Sequence, residues 1–361
     1  MSEKEKLQQI RERIDSLDKQ IQDLINQRAS AAQEVAQVKT ASGGDTFFYR
    51  PEREAKVLSA IKERNQGPIA DEDMTRLFRE IMSACLALEQ PMRIAFLGPE
   101  GTFTQSAALK HFGHSVETVA LASIPDIFRE VESGACYYGV VPVENSTEGM
   151  ISHTLDMFIN SGLQICGEVS LRIHHHLMSK EKDLSAIKKV YSHQQSLAQC
   201  RLWLDRNLQH AEQQPVGSNA EAARLASSEP NSAAIAGEMA AEIYKLDYLA
   251  ESIEDEPDNT TRFLVIGRQS VAMSGRDKTT LLLSARNVAG SLSALLSPLA
   301  DNNISMTRIE SRPSRRGTWD YVFFVDIEGH RDDPEVAKAL EELKADANLF
   351  KILGSYPMAV L

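Results

Sequence analysis

The sequence predicts three units of different fold class: an all-α unit (1–91), an α/β unit (92–268) and a ferredoxin-like α+β unit (278–361). Three observations carry this. Apolar residues recur at three- and four-residue steps until the first glycine at Gly43. After Arg93, strand-like and helix-like segments alternate. Beyond residue 278 the order reads β-α-β-β-α-β, the ferredoxin-like arrangement.

In the first unit, Leu7, Ile10, Ile14, Leu17, Ile21, Leu24, Ile25, Val35 and Val38 form one helical stripe. A second helix is expected from Pro51, a good first-turn residue. A third follows Gly67-Pro68, capped by Asp71, and runs to about Glu89. In the second unit, Arg93–Leu97 reads as a buried strand entering the turn Gly98–Phe103, and Tyr138–Val143 is the clearest later strand. Residues 268–278 are polar and patternless, so a linker is expected there. The third unit gives strand 279–285, helix 290–302, strand 304–312, turn 314–318, strand 319–327, helix 333–346 and strand 349–356.

Composition limits the partners. A net charge of −12 disfavours nucleic acid and acidic membranes. Met1–Lys6 leads into a charged amphipathic pattern, so no signal peptide is expected, and no apolar run approaches a membrane span. Cys85, Cys136, Cys166 and Cys200 have no C-x-x-C spacing, so reduced thiols in a cytoplasmic protein are expected. There is neither a dinucleotide fingerprint nor a P-loop, and no cofactor or metal is expected. In an alternating strand, His174, His175 and His176 cannot converge on one ion.

On a helical wheel Arg28 and Lys39 fall inside the apolar stripe, about 20° apart, with Arg11 at its edge. Buried cations need partners. Either they snorkel and pair with carboxylates, or they form an anion pocket with Arg53 and Glu54 on the next helix. This pattern resembles the all-helical chorismate mutases: Ile10–Asp18, then Arg28, Lys39, Arg53-Glu54 and Thr75-Arg76-Leu77-Phe78. In that family the first helix is shared across a dimer. A helix of about 38 residues spans roughly 57 Å, too long for a compact unit of this size. The pericyclic rearrangement of chorismate to prephenate needs no nucleophile, only held carboxylates and a stabilised ether oxygen. The resemblance implies that Arg11 and Arg28 clamp carboxylates, with Arg53 in the same site. Lys39 would donate to the ether oxygen and Glu54 accept from the substrate hydroxyl. Cys85 stands where Ser is frequent, and Glu89 where Gln usually donates; a carboxyl donates only when protonated. Arg50 lies where some relatives carry an acidic residue.

In the second unit, four segments carry chemistry: Gly98–Thr104, Val141–Gly149, Tyr191–Cys200 and Asn259–Phe263. Each joins a strand to a polar turn or helix start, where α/β folds bind ligands. In this order they resemble prephenate dehydratase across the whole unit. That implies a two-lobed, periplasmic-binding-protein-like fold with the site between the lobes. Thr261 matches the family's essential threonine and would act as an oriented donor to the departing hydroxyl. Thr104, Asn145, Ser192 and Gln199 would be supporting donors. Arg262 either binds a substrate carboxylate or pairs with the acidic run Glu251–Asp258.

In the third unit, Gly290-Ser291-Leu292 at a helix start and Glu310-Ser311-Arg312-Pro313 after a strand resemble phenylalanine-binding ACT domains. An edge-to-edge dimer would enclose the ligand. The whole therefore resembles the family that fuses an isomerase making prephenate to a lyase consuming it, regulated by phenylalanine, and a homodimer or higher homo-oligomer is expected. The rivals are a non-catalytic two-lobed amino-acid sensor, and a chain that retains only one activity.

Overall fold

The computed structural model describes residues 2–41, 47–147, 149–285, 288–314 and 321–359. Glu148 of the 141–149 cluster, the predicted turn beyond Ser314 and positions 319–320 of the expected strand lie outside the described residues.

The first unit is helical, with α1 (Glu3–Ala41), α2 (Pro51–Arg64) and α3 (Asp71–Glu89). Proline sits in the first turn of α2, as its fixed φ favours. Ala70, not Asp71, is the N-cap of α3; Asp71 accepts instead from the Asn65 amide at 2.7 Å. No residue of α1 is buried, and its apolar stripe from Leu7 to Val38 faces solvent. Such a stripe is not stable in isolation and is the mark of an unfilled interface.

The second unit has two lobes. The first lobe's sheet runs Glu117–Leu121, Arg93–Leu97, Tyr138–Asn145, Thr260–Gly267, Gln164–Arg172. The first three are parallel and the last two antiparallel to their neighbours. The second lobe's sheet runs Asp247–Ala250, His176–Ser179, Ser232–Ala236, Lys189–His193, Glu212–Val216. The chain leaves the first lobe after Arg172 and returns at Thr260, so two crossovers lie side by side. Ile173 N donates to Asn259 O at 2.8 Å and ties them together. This is the two-lobed arrangement expected of the unit.

The third unit is a four-stranded antiparallel sheet ordered Met306–Pro313, Tyr321–Glu328, Asp277–Ser284, Leu349–Pro357, with helices Ser291–Asp301 and Pro334–Asp346. The helices cover one face, over Leu281, Leu283, Val325 and Ile327. The other face presents Leu282, Val322, Phe324, Leu353 and Tyr356 to a core shared with Ile127, Phe158, Ile165 and Leu264 of the first lobe. Backbones approach closely at Gly354, where a Cβ would collide with the Ile165 carbonyl. The expected linker is packed rather than loose. Gln269 and Val271 are buried, and the strand already begins at Asp277. Among the described residues no helix is long and apolar enough to cross a membrane, and the four cysteines are buried and unbridged.

Candidate active sites

The crossovers build a polar chain between the lobes. Asn145 ends its strand opposite Thr261 on the neighbouring strand. The Asn145 Oδ1 accepts the Thr147 backbone N–H at 3.0 Å, which fixes the amide's orientation. Its Nδ2 donates to Thr261 Oγ1 and to Asn259 Oδ1, each at 2.8 Å. Asn259 Nδ2 donates to Gln199 Oε1 at 3.0 Å, and His175 Nε2 donates to the same oxygen at 2.9 Å. A carbonyl oxygen can only accept, so His175 carries its proton on Nε2. Burial holds the His175 imidazole below its ordinary pKa, hence neutral. Its Nδ1 is buried and has no hydrogen-bond partner among the described residues. The Phe103 ring meets His175 edge-on, centroids 5.6 Å apart.

Thr261, Asn145 and Gln199 therefore share one network, together with Asn259 and His175, which the sequence reading passed over. The sequence signal for Asn259 was its place at the head of the Asn259–Phe263 segment; for His175 it was the alternation itself. His174 and His176 turn to the other side, to Glu254 Oε1 and the Ser252 N–H. Thr104 is buried at the start of helix Phe103–Phe112. Ser192 is not a free donor. It is fully buried, and its hydroxyl contacts Ile235 O at 2.8 Å and Asn219 Oδ1 at 2.9 Å. Arg262 faces away from Thr261, because neighbours on a strand point to opposite faces. It pairs with Glu168 at 2.9 Å and Asp326 at 2.7 Å, neither a substrate subsite nor the Glu251–Asp258 run.

In the helical unit, Glu89 lies within the electrostatic reach of Lys39 and Arg28. Burial raises its carboxyl pKa above the ordinary value, and the two cations only moderate this. Lys39 Nζ contacts the Phe48 carbonyl at 3.4 Å. Cys85 is buried on α3; Arg50 and Arg53 are exposed at and after the start of α2. Glu54 turns inward instead, to Arg79 Nε at 3.5 Å, and Arg79 donates to the Lys110 carbonyl of the second unit. Burial pushes the Glu54 carboxyl up to about 6 despite Arg79. Arg11 is exposed, and 17 residues separate it from Arg28, roughly 25 Å along a helix. One chain cannot bring both to one ligand.

In the third unit a cavity of about 330 Å³ is lined by Gly290, Ser291 and Leu292 with Val288, Tyr321 and Phe323. It opens on the N-terminus of helix Ser291–Asp301, which favours an anion. Glu310, Ser311, Arg312 and Pro313 do not line it. They belong to the sheet's edge strand, where Arg312 pairs with Asp156 of the first lobe at 3.0 Å.

Comparison with known proteins finds three matches along the chain. The profile of chorismate mutase type II matches residues 10–90, that of prephenate dehydratase residues 94–271, and that of the ACT domain residues 279–345. A bifunctional chorismate mutase/prephenate dehydratase of Stutzerimonas stutzeri is 58% identical, covering 100% of each chain. The chain belongs to the bifunctional chorismate mutase/prephenate dehydratase family. The Pseudomonas aeruginosa member is 55% identical, again over 100% of both chains. Among solved structures, a prephenate dehydratase of Arthrobacter aurescens in complex with L-Phe superimposes with a TM-score of 0.68 at 34% identity. That match covers 73% of this chain and 89% of the other. Family membership thus joins two catalytic units and one regulatory unit.

Proposed function

We propose that this chain rearranges chorismate to prephenate in its helical unit (1–91) and converts prephenate to phenylpyruvate in its two-lobed unit (92–268). The third unit (278–361) binds phenylalanine and lowers dehydratase activity. The observation that carries the dehydratase reading is the fixed Asn145 amide. Because Asn145 donates to Thr261 Oγ1, the Thr261 hydrogen is left to point at a ligand.

The chemistry follows. The ring carboxylate leaves as carbon dioxide, and its bonding pair enters the ring. The ring hydroxyl departs as hydroxide, its developing charge held by a hydrogen bond from Thr261, and takes a proton from solvent to leave as water. Thr261 is too weak an acid to ionise alone, so its contribution is oriented donation. Aromatisation supplies the driving force. Gln199 and Asn259 hold the donor's framework, and Thr104, buried in the first turn of helix Phe103–Phe112, supplies a further hydroxyl.

For the mutase, Arg28 and Arg11 hold the carboxylates of the dianion, and Lys39 and a protonated Glu89 donate to the ether oxygen. Arg11 comes from a second copy docked along the exposed stripe of α1, so the working form is at least a dimer. Arg53, Cys85 and Arg50 complete or border this site once α1 is shared, while Glu54 stays paired with Arg79. Phenylalanine places its carboxylate at the Gly290–Leu292 helix start, with Glu310–Pro313 of a second copy closing the cavity. The enzyme works in the cytoplasm and takes no cofactor.

One assay tests the whole: full-length protein is given chorismate and phenylpyruvate is followed. Arg28→Ala should abolish use of chorismate but not of prephenate, and Thr261→Ala should do the reverse. Joint loss of both activities in each variant would overturn the two-site reading.

A further inference from the structure

The pair Asn145–Thr261 sits on one face of the first lobe's sheet. Their strand neighbours, Glu144 and Arg262, are also register partners and face the opposite side. Both neighbours reach the same carboxylate of the third unit. Arg262 Nη1 lies 2.7 Å from Asp326 Oδ2. Glu144 lies 3.6 Å from Arg308 Nε, and Arg308 Nη1 lies 3.5 Å from that same Asp326 oxygen. Asp326 is 1% exposed, and its other oxygen accepts from Thr280 at 2.6 Å. Burial works against its charge, but Arg262 and Arg308 together hold the carboxyl below the usual range. A single buried carboxylate thus braces both strands that carry the dehydratase pair.

The strand bearing Asp326, Tyr321–Glu328, has a second duty. Its alternate residues point through the sheet: Tyr321 and Phe323 line the cavity on the helical side, while Val322, Phe324 and Asp326 face the dehydratase. Arg308 lies on the strand that also carries Glu310–Pro313. Any displacement of these two strands on filling the cavity reaches Glu144 and Arg262 directly.

We propose that Asp326, a residue of the regulatory unit, is a positioning residue for the dehydratase and the joint through which effector occupancy reaches Asn145 and Thr261. This rests on the roles proposed above for those two residues and on effector binding at the cavity. Removing the charge leaves Arg262 and Arg308 buried with one partner fewer, so both strands are free to shift.

The test uses full-length Asp326→Asn. Dehydratase kcat should fall at least tenfold with the KM for prephenate changed less than threefold, while mutase activity is unaltered. Phenylalanine should still bind, measured by calorimetry, yet change the remaining dehydratase rate less than twofold. Arg308→Gln, which cuts only the Glu144 branch, should lose less kcat and the same response. Dehydratase rate and phenylalanine response both unaltered in either variant would overturn the proposal. So would parallel loss of mutase and dehydratase activity, the sign of a general folding defect. The wild-type arm stands apart: no phenylpyruvate from prephenate there would overturn the functional reading and the coupling with it.

Discussion

Asn145 donates to Thr261 Oγ1 across 2.8 Å, and the Thr147 backbone N–H prevents the amide from turning round. The direction of that bond decides what Thr261 can do. An aspartate at 145 has only acceptor oxygens, so it would claim the Thr261 hydrogen and aim it away from the substrate. Asn145→Asp should therefore lose roughly 10²–10³-fold in dehydratase kcat, the cost of one oriented donor. Asn145→Ala, which leaves the hydroxyl free to donate, should lose less. Prephenate turnover in the two variants checks the order; the reverse order would remove the donor role of Thr261.

Thr261 itself offers a sharper contrast. Serine keeps the hydroxyl and loses one methyl in a site only 8% exposed. Thr261→Ser should stay within about tenfold of wild type, and Thr261→Ala should lose roughly 10²–10⁴-fold. Mutase activity should be unchanged in both, because the helical unit makes none of these contacts. Equal losses for Ser and Ala would point to packing, not to donation.

The sequence exposed the fold through period and order, because both are local properties. The α1 stripe and the β-α-β-β-α-β run need no distant partner to be read. Thr261, Asn145 and Gln199 were legible by resemblance, and the structure brings them into one hydrogen-bonded chain. Arg262 was harder. Strand parity alone sets it opposite Thr261, but its partners Glu168 and Asp326 are 94 and 64 residues away in sequence. Nothing local distinguishes an arginine awaiting substrate from one already paired. The partners of Ser192 were hidden for the same reason: its hydroxyl meets Ile235 and Asn219, on a neighbouring strand and helix. His175 was obscured by the two histidines flanking it.

The mutase should show the titration of Glu89. Burial raises its folded-state pKa, so the protonated donor is present below that pKa and is lost as pH rises through it. A bound dianion raises it further. Mutase kcat should therefore fall with rising pH, and Glu89→Gln, a donor at every pH, should flatten the profile. A Gln variant with the wild-type slope would show that another group titrates.

The helical unit also predicts complementation between copies. Leu17 and Ile21 on α1 are 48% and 54% exposed, and burying the exposed half of such side chains contributes about 1 kcal/mol each. A second α1 laid along the stripe recovers that energy and carries its own Arg11 toward Arg28 and Lys39. Arg11→Ala and Arg28→Ala should each abolish mutase activity as homodimers. In a mixed dimer, one site unites the intact Arg28 of one chain with the intact Arg11 of the other, and the second site has neither. Random exchange makes half the dimers mixed, so the mixture should recover roughly one quarter of wild-type mutase activity. The measurement is chorismate consumption after co-refolding equal amounts of the two variants. If no activity returns although an affinity tag on one variant co-purifies the untagged other, both arginines act within one chain and the shared-helix site is wrong.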